Sequence, residues 1–299
     1  MYKSLICFLL FLLVVSISLR ACSGSSESDN EECTEIIEKS VSDIETTKEP
    51  TIIVNNCDIV YDTTHKEDKS QCKLIYNNLT ICYGDSNLHV IEYMGYEVVF
   101  NSLLKIPILV KYELTAEEVD GIYSRKGLDF CEDLKVNVDQ ANDYDYRGSG
   151  WSRGHMAPAG DFTWSSKALQ ETFYYTNCCP QDLKLNTGQW KYLEEEVRNW
   201  AKRFGRIDVV TGPIVGSNEH GAIGNNKIVV PDAFYKVVCN GEQAIAFVLY
   251  NRPKNESMKK CAMSVDCLEE LSGLDFFQEL DDEIENKIEA TYILNYWNL

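Results

Sequence analysis

The chain has 299 residues, an apolar fraction of 44% and a formal net charge of −19. This composition excludes a wholly disordered chain and allows one large domain or two modest ones. The net acidity argues against tight, extended, salt-driven binding of a nucleic acid, because such binding depends on neutralising many phosphates with Lys and Arg.

The acidity is concentrated at the two ends of the chain. Residues 22–50 hold nine acids and two bases, and residues 262–299 hold ten acids and one base. Residues 51–261 therefore carry a net charge of only −5. An enzyme that meets a polyanion through a few focused arginines tolerates such a balance.

The N-terminus has the pattern of a secretory signal. Lys3 precedes the apolar run Leu5–Leu19, and small residues follow at Ala21 and Ser23. The run is shorter than the roughly 20 residues that span a membrane. We expect a signal peptide over residues 1–21, no stable membrane span after its cleavage, and a secreted protein or one held in a secretory compartment. An uncleaved anchor is the alternative.

Cysteine usage favours the same destination. The chain has 12 cysteines, and a high density of cysteines in an exported chain predicts disulfide bonds. Their pairing cannot be read from the spacing. Residues 22–85 form an acidic, cysteine-containing segment to which the sequence assigns no function.

A regular pattern of predicted elements begins near residue 88. Alternating and β-branched runs predict strands at residues 89–91, 96–100 and 106–114. Residues 127–150 are polar and irregular. A short helix is predicted at 166–172, followed by a short strand at 173–175.

One long amphipathic helix is predicted next. Its apolar stripe consists of Trp190, Leu193, Val197, Trp200, Ala201 and Phe204. Asn186 or Thr187 is the expected N-cap, and Gly205 the expected residue just beyond the C-terminus.

The rest of the chain alternates strands with helices. Strands are predicted at 207–211 (ended by Gly212 and Pro213), 227–230, 234–238 and 244–250, and helices at 265–271 and 281–290. Strands joined by hairpin-length links, with helices at intervals, predict an antiparallel α+β fold with a central sheet.

The candidate chemistry centres on Arg153, Gly154 and His155. Glycines and a proline around them favour a bent hairpin or loop. A guanidinium that binds phosphate lies beside an imidazole that moves protons near neutral pH, which is an arrangement for phosphoryl chemistry. The alternative for His155 is a buried histidine with a structural hydrogen bond.

A second candidate cluster lies at the start of the long helix. The amide oxygen of Asn186 is a hard, neutral ligand suited to Mg²⁺, which keeps several waters. Glu194 follows eight residues later, on a similar helix face. The alternatives are a plain N-cap for Asn186 and a solvated helix face for Glu194, since Glu195 and Glu196 follow it.

These residues match a known family. The stretch 152–162 (SRGHMAPAGDF), with 171–177 (ETFYYTN), Pro180-Gln181 and Asn186 to Glu194, resembles the DNA/RNA non-specific endonuclease family. The likeness continues through 209–213 (VVTGP), 230–236 (VPDAFYK) and 271–277 (LSGLDFF), so it covers roughly residues 88–290. So many motifs in order are far more specific than one short match.

The resemblance implies a ββα-metal nuclease domain over residues 86–299, with a central antiparallel sheet flanked by helices. It implies that His155 is the general base and that Asn186 is the single protein ligand of Mg²⁺, with Mn²⁺ as an alternative. It implies that Asn177 helps to position His155 and that Glu194 orders water bound to the metal. Arg153 and Arg125 match phosphate-binding arginines.

The implied activity is hydrolysis of DNA and RNA without sequence preference, leaving 5′-phosphate products. Backbone contacts suffice for such cutting, which agrees with the absence of a recognisable base-reading module. Family members often form homodimers. The alternatives are a catalytically silent nucleic-acid-binding protein of the same fold and a phosphodiesterase for small nucleotides.

One position departs from the common family motif. Ser152 stands where Asp is usual, as in the exonuclease-like branch of the family. A hydroxyl cannot pair ionically with Arg153 or His155, so we expect a changed pH optimum or metal preference with activity retained.

Overall fold

A seven-stranded antiparallel sheet lies at the centre of the computed structural model, which describes residues 87–216 and 219–299. In spatial order its strands are β1 (Leu88–Glu92), β2 (Glu97–Asn101), β3 (Ile106–Thr115), β6 (Arg206–Ile214), β9 (Ala233–Cys239), β10 (Ala244–Tyr250) and β11 (Ala262–Met263). Two separate pairs are β4 (Ser152–His155) with β5 (Cys178–Gln181), and β7 (Ala222–Ile223) with β8 (Ile228–Val229). The predicted antiparallel α+β fold is confirmed. The predictions for residues 1–21 and 22–85 lie outside the described residues.

Eight α-helices connect and cover the strands within the described residues. They are α1 (Ala116–Val119), α2 (Asp143–Tyr146), α3 (Ser166–Glu171), α4 (Leu183–Thr187), α5 (Gln189–Phe204), α6 (Met258–Cys261), α7 (Val265–Ser272) and α8 (Asp282–Glu289). Short 3-10 turns lie at Ala159–Asp161, Tyr175–Asn177 and Leu294–Trp297. In the parts of the chain that the structure describes, no helix combines the length and apolarity needed to cross a membrane.

Strand β9 separates two hydrophobic cores. All seven of its residues are buried, because helices cover both faces of the sheet at this point. Phe234 and Val238 belong to the first core, which also contains the α5 stripe. Tyr235 and Val237 belong to the second core, on the side of α7 and α8. Alternation along the strand thus assigns one face of the sheet to each group of helices.

Helix α5 confirms the predicted amphipathic stripe but begins later than its predicted caps. Asp182 accepts hydrogen bonds from the backbone N–H groups of Lys184 and Leu185, at 2.8 and 3.0 Å, and so starts a separate short helix, α4. Asn186 lies inside α4, and Gly188 takes the N-cap position of α5. The N-cap prediction is therefore wrong, while Gly205 follows the helix with a φ of +86° as expected.

Two strand predictions are also wrong. Within residues 173–175, Tyr174 forms only an isolated bridge with Cys131, and Tyr175 begins the 3-10 segment. The strand is β5, directly after that segment. Strand β6 continues through Gly212 and Pro213 to Ile214. The pairing of β6 with β3 ends at Thr211, so Pro213 is paired only with β9. The missing N–H of Pro213 therefore removes no hydrogen bond to β3.

We expect Leu193→Ala to lower the free energy of unfolding by about 2–5 kcal/mol, since a fully buried α5 side chain is removed and a cavity remains. The neighbouring Tyr192 is 47% exposed, so Tyr192→Ala should change stability by less than about 0.5 kcal/mol. Denaturant unfolding of both variants checks this. Equal losses would contradict the assignment of the buried face.

Candidate active site

The candidate site is built on the antiparallel pairing of β4 with β5. Ser152 pairs with Gln181, Gly154 with Cys179 and His155 with Cys178. The segment expected to be a bent hairpin or loop is thus a strand at this point. A Cβ on Gly154 would lie 2.3 Å from the Gln181 side-chain oxygen, so only glycine permits this close approach.

His155 lies at the end of β4 in an aromatic enclosure. Its ring centroid is 4.7 Å from that of Phe130 and 5.0 Å from that of Phe173. The side chain is buried, and its Nε2 atom has no hydrogen-bond partner among the described residues. A buried polar atom without a partner is unusual in a folded protein, which argues against the purely structural alternative.

The enclosure sets the protonation state of His155. Burial, and to a smaller extent the positive charge of Arg125, lowers the pKa of the imidazole to about 3. The ring is therefore neutral at physiological pH, and a neutral imidazole can accept a proton from water.

Asn177 fixes the chain immediately after His155. Its Oδ1 accepts from the Ala157 backbone N–H at 2.8 Å, and its Nδ2 donates to the carbonyls of Ala157 and Thr172 at 2.9 Å each. The side chain is completely buried, so these bonds are shielded from water. The bonds hold the backbone two residues beyond His155.

Asn186 is attached to the same strand as His155. Its Nδ2 donates to the Ser152 Oγ at 3.0 Å and to the Arg153 carbonyl at 3.2 Å. The Ser152 hydroxyl donates in turn to the Gln181 carbonyl at 2.7 Å. These bonds orient the carboxamide, and its Oδ1 accepts no hydrogen bond from the described residues. An oriented, unused amide oxygen fits a hard cation that keeps most of its waters.

Arg153 is held by partners that the sequence did not indicate. Its Nε donates to the Tyr175 hydroxyl at 3.2 Å, its terminal nitrogen pairs with the Asp143 carboxylate, and its guanidinium carbon lies 5.1 Å from the Tyr146 ring centroid. The carboxylate balances the charge of Arg153. Asp143 and Tyr146 come from α2, in the irregular stretch 127–150, where no periodic pattern marks them.

Arg125 is the more available of the two predicted arginines. The side chain is exposed and forms no ion pair within the described residues. Its guanidinium carbon is 5.4 Å from the centroid of the Phe173 ring, the same ring that packs edge-on against His155. Its charge acts on both His155 and Glu194, so Arg125 lies within electrostatic range of the predicted base and of the predicted acid.

Glu194 projects from α5 into a partly buried cluster of charges. Burial raises the pKa of its carboxyl group, and the cations Lys236, Arg198 and Arg125 oppose that rise. The neighbouring Glu195 is exposed, but Glu194 is half-buried, so Glu194 is not part of a solvated face.

Sequence reasoning missed the other members of this cluster. Arg198 donates to Asp161 at 2.8 Å, and Tyr112 donates to the second oxygen of Asp161 at 2.8 Å. Lys236 is 1% exposed, and its ammonium lies 4.8 Å from the centroid of the Trp190 ring. The lysine within the otherwise apolar sequence of β9 was the signal that could have revealed this buried charge cluster.

Comparisons with known proteins identify the family of this chain. Residues 77–283 match the DNA/RNA non-specific endonuclease family, and the chain belongs to that family. It is 34% identical over 209 residues to "Nuclease EXOG, mitochondrial" of Xenopus laevis, covering 64% of this chain and 58% of the relative. It is 31% identical over 199 residues to human "Endonuclease G, mitochondrial", covering 61% of this chain and 67% of the relative.

A solved structure shows the same fold. The crystal structure of the EndoG/EndoGI complex contains a chain that aligns with a TM-score of 0.62 and 26% identity, over 77% of this chain and 100% of that one. The ββα-metal nuclease fold is thereby confirmed. The chain spans 58% of the length of the frog nuclease and 57% of the length of its human counterpart.

The expectation of a secreted protein is wrong. Relatives from frog, human and fission yeast are named as mitochondrial nucleases. The expectation rested on an apolar N-terminal run and on the cysteine count, and both are compositional signals that do not specify a destination.

The cysteines of the described residues are mostly reduced. Cys131, Cys178, Cys179, Cys239 and Cys261 are free thiols, whereas Cys267 is disulfide-bonded. Burial raises the pKa of Cys178 to about 12, so this thiol beside His155 in the β4–β5 ladder stays protonated and unreactive.

We expect Asn177→Ala to lower the free energy of unfolding by about 3 kcal/mol, because three buried backbone groups lose their partners. The matched control is Asn286→Ala, since Asn286 is exposed and makes one bond, to the Asp282 carbonyl. The control should change stability by less than about 0.5 kcal/mol. Thermal and denaturant unfolding measure both, and similar values for the two variants would contradict this role of Asn177.

Proposed function

We propose that this protein is a Mg²⁺-dependent nuclease that hydrolyses the phosphodiester bonds of DNA and RNA to 5′-phosphate products. The observation that carries the proposal is the shared anchoring of base and metal ligand. His155 ends β4, and Asn186 is bound to the Ser152 hydroxyl and the Arg153 carbonyl of that same strand. Residues 86–299 would form the nuclease domain, which the family match over residues 77–283 supports.

In the proposed reaction, Nε2 of His155 accepts the proton of the attacking water. Burial keeps the imidazole neutral, so this nitrogen is free to accept a proton, and the aromatic rings around it hold the ring in place. Proton removal of this kind accelerates attack by about 10²–10⁴-fold.

Asn186 would hold the metal through Oδ1, with Mn²⁺ able to replace Mg²⁺. The bound cation supplies positive charge opposite the phosphate and the leaving 3′-oxygen. Glu194 would order the water bound to that metal, as membership of the family implies. Arg125 would bind a phosphate oxygen, because its guanidinium is exposed and unpaired within the described residues.

Arg153 takes a different role in this proposal from that of a free phosphate ligand. The Asp143 carboxylate already balances its charge, and its backbone carbonyl receives the Asn186 amide. Arg153 would therefore contribute mainly by keeping β4 in position, while Arg125 meets the substrate. A homodimer stays a prediction, which light scattering of the purified protein tests.

His155→Ala and Asn186→Ala should each cut plasmid at least about 100-fold more slowly than the unaltered chain in Mg²⁺, since one lacks the base and the other the metal ligand. Adding excess EDTA to the unaltered chain should stop cleavage. Gel assays on plasmid and on RNA give the rates.

Matched controls exist for both substitutions. His89 lies on β1 and contacts the Ser102 hydroxyl at 3.1 Å, so His89→Ala should digest plasmid normally. Asn286→Ala serves the same purpose for Asn186. If either active-site variant digests as fast as its control, the proposed mechanism is wrong. Binding without cleavage across several divalent metals would instead favour the silent binding protein.

Ser152→Ala should raise the Mg²⁺ concentration for half-maximal activity by about 10–100-fold, because the Asn186 carboxamide loses one of its two anchors. Ser152→Asp retains an acceptor for Asn186 but cannot donate to the Gln181 carbonyl when ionised, so it should recover part of the loss. Metal titrations of activity provide the measurement.

Ser165→Ala is the control for the lost hydroxyl. Ser165 caps α3 by accepting from Ala168 at 3.3 Å, so its loss should lower stability without changing the Mg²⁺ dependence. An unchanged Mg²⁺ dependence in Ser152→Ala would show that Ser152 does not position Asn186.

A further inference from the structure

Three carboxylates converge where the C-terminal helices pack on the sheet. Asp266 and Glu269 lie on α7, and Glu289 lies near the end of α8. Each offers an oxygen, and these oxygens all lie within 4.8 Å of one another. The two helices pack on the second core, whereas α5 and the loop after His155 pack on the first, so the cluster lies on the other face of the sheet.

Glu289 distinguishes this cluster from an ordinary acidic surface. Its side chain is buried, with 4% exposure, and its Oε1 has no hydrogen-bond partner among the described residues. Acidic side chains are almost never buried unless they are paired or coordinate a metal. The Glu289 carboxylate supplies one of the three neighbouring oxygens, so this carboxylate faces Asp266 and Glu269.

No described cation balances these charges at Glu269 or Glu289, since neither forms an ion pair within residues 87–216 and 219–299. Glu269 is held in place by the Phe276 backbone N–H, which donates to its Oε1 at 2.9 Å. Burial, together with the neighbouring carboxylates, raises the pKa of Glu289 to about 9 and that of Glu269 to about 7. Charged carboxylates at Glu269 and Glu289 are therefore unfavourable unless a cation or a proton lies between them.

We propose that Asp266, Glu269 and Glu289 form a binding site for a hard divalent cation, Ca²⁺ or Mg²⁺, that ties α8 to α7. Carboxylate oxygens are the ligands such cations prefer. Two oxygens bound to one Ca²⁺ at about 2.4 Å lie at most about 4.8 Å apart. The three carboxylate oxygens are close enough together to share one such ion. Water completes the coordination on the half-buried side, where Asp266 and Glu269 lie.

This site differs in chemistry from the one at Asn186. Asn186 offers a single neutral oxygen, whereas the cluster offers three carboxylates and holds the cation without substrate. Its position on α7 and α8 gives it a structural role, and the proposed catalytic role of Asn186 does not depend on it.

The test measures calcium binding and thermal unfolding of the full chain after removal of metals. Equilibrium dialysis with radioactive Ca²⁺ gives stoichiometry and affinity, and a parallel series uses Mg²⁺. The Asn186→Ala protein serves as the background, so that catalytic metal binding does not contribute. We expect one saturable site per chain and a rise in Tm of about 5–10 °C at a hundredfold excess over Kd.

Glu289→Gln on that background should bind Ca²⁺ at least tenfold more weakly and lose most of the rise in Tm. The exposed Glu283 on the same helix supplies the control, and Glu283→Gln should bind like the background protein. We expect Glu289→Gln to fold, since it removes a buried charge. Asp266→Asn is a second variant, for which we expect the same loss of Ca²⁺ binding and of the rise in Tm.

Two results would overturn the proposal. One is the absence of saturable binding of either cation to the Asn186→Ala protein. The other combines two observations: Glu289→Gln raises the Tm of the metal-free protein, and cations do not change the Tm of the protein with the unaltered cluster. That result would mean that the carboxylates share protons instead of binding a cation. Either result leaves the proposed nuclease activity untouched, since plasmid cleavage is measured separately.

Discussion

The short ladder between β4 and β5 is the constraint on which the candidate site depends. It holds His155 at one end of β4 and, through the Ser152 hydroxyl and the Arg153 carbonyl, holds the Asn186 carboxamide near the other end. The proposed proton acceptor and the proposed metal ligand must keep a fixed separation to act on one phosphate. Rigid strands maintain such a separation better than loops do.

Close packing of the ladder requires a glycine at position 154. The Gln181 side chain occupies the space that a Cβ would fill, so any other residue at position 154 would displace the Gln181 side chain. The same Gln181 provides the backbone carbonyl that receives the Ser152 hydroxyl. The residue that distinguishes this chain from the common family motif is thus built into the support of the proposed metal ligand.

The two faces of the sheet at the central strand β9 have different charge environments. Its Lys236 side chain lies on the first core, beside Trp190 and the Glu194 charge cluster, while its other face packs against α7 and α8. Burial of Glu194 with Lys236, Arg198 and Asp161 is tolerated because opposite charges compensate one another. On the other face no such compensation is present at Glu269 or Glu289 among the described residues, and the two faces therefore differ in what they can bind.

The sequence by itself determined the family, the α+β class, the α5 stripe and the set of candidate residues. These depend on local periodicity and on motifs in order along the chain, which a sequence displays directly. The sequence did not show that Asn186 lies inside α4. The start of α4 is set by hydrogen bonds from two backbone N–H groups to the Asp182 side chain. The sequence also missed the Asp143 partner of Arg153 and the convergence of Asp266, Glu269 and Glu289. Those contacts join segments far apart in the chain or on separate helices, and only tertiary packing brings such segments together.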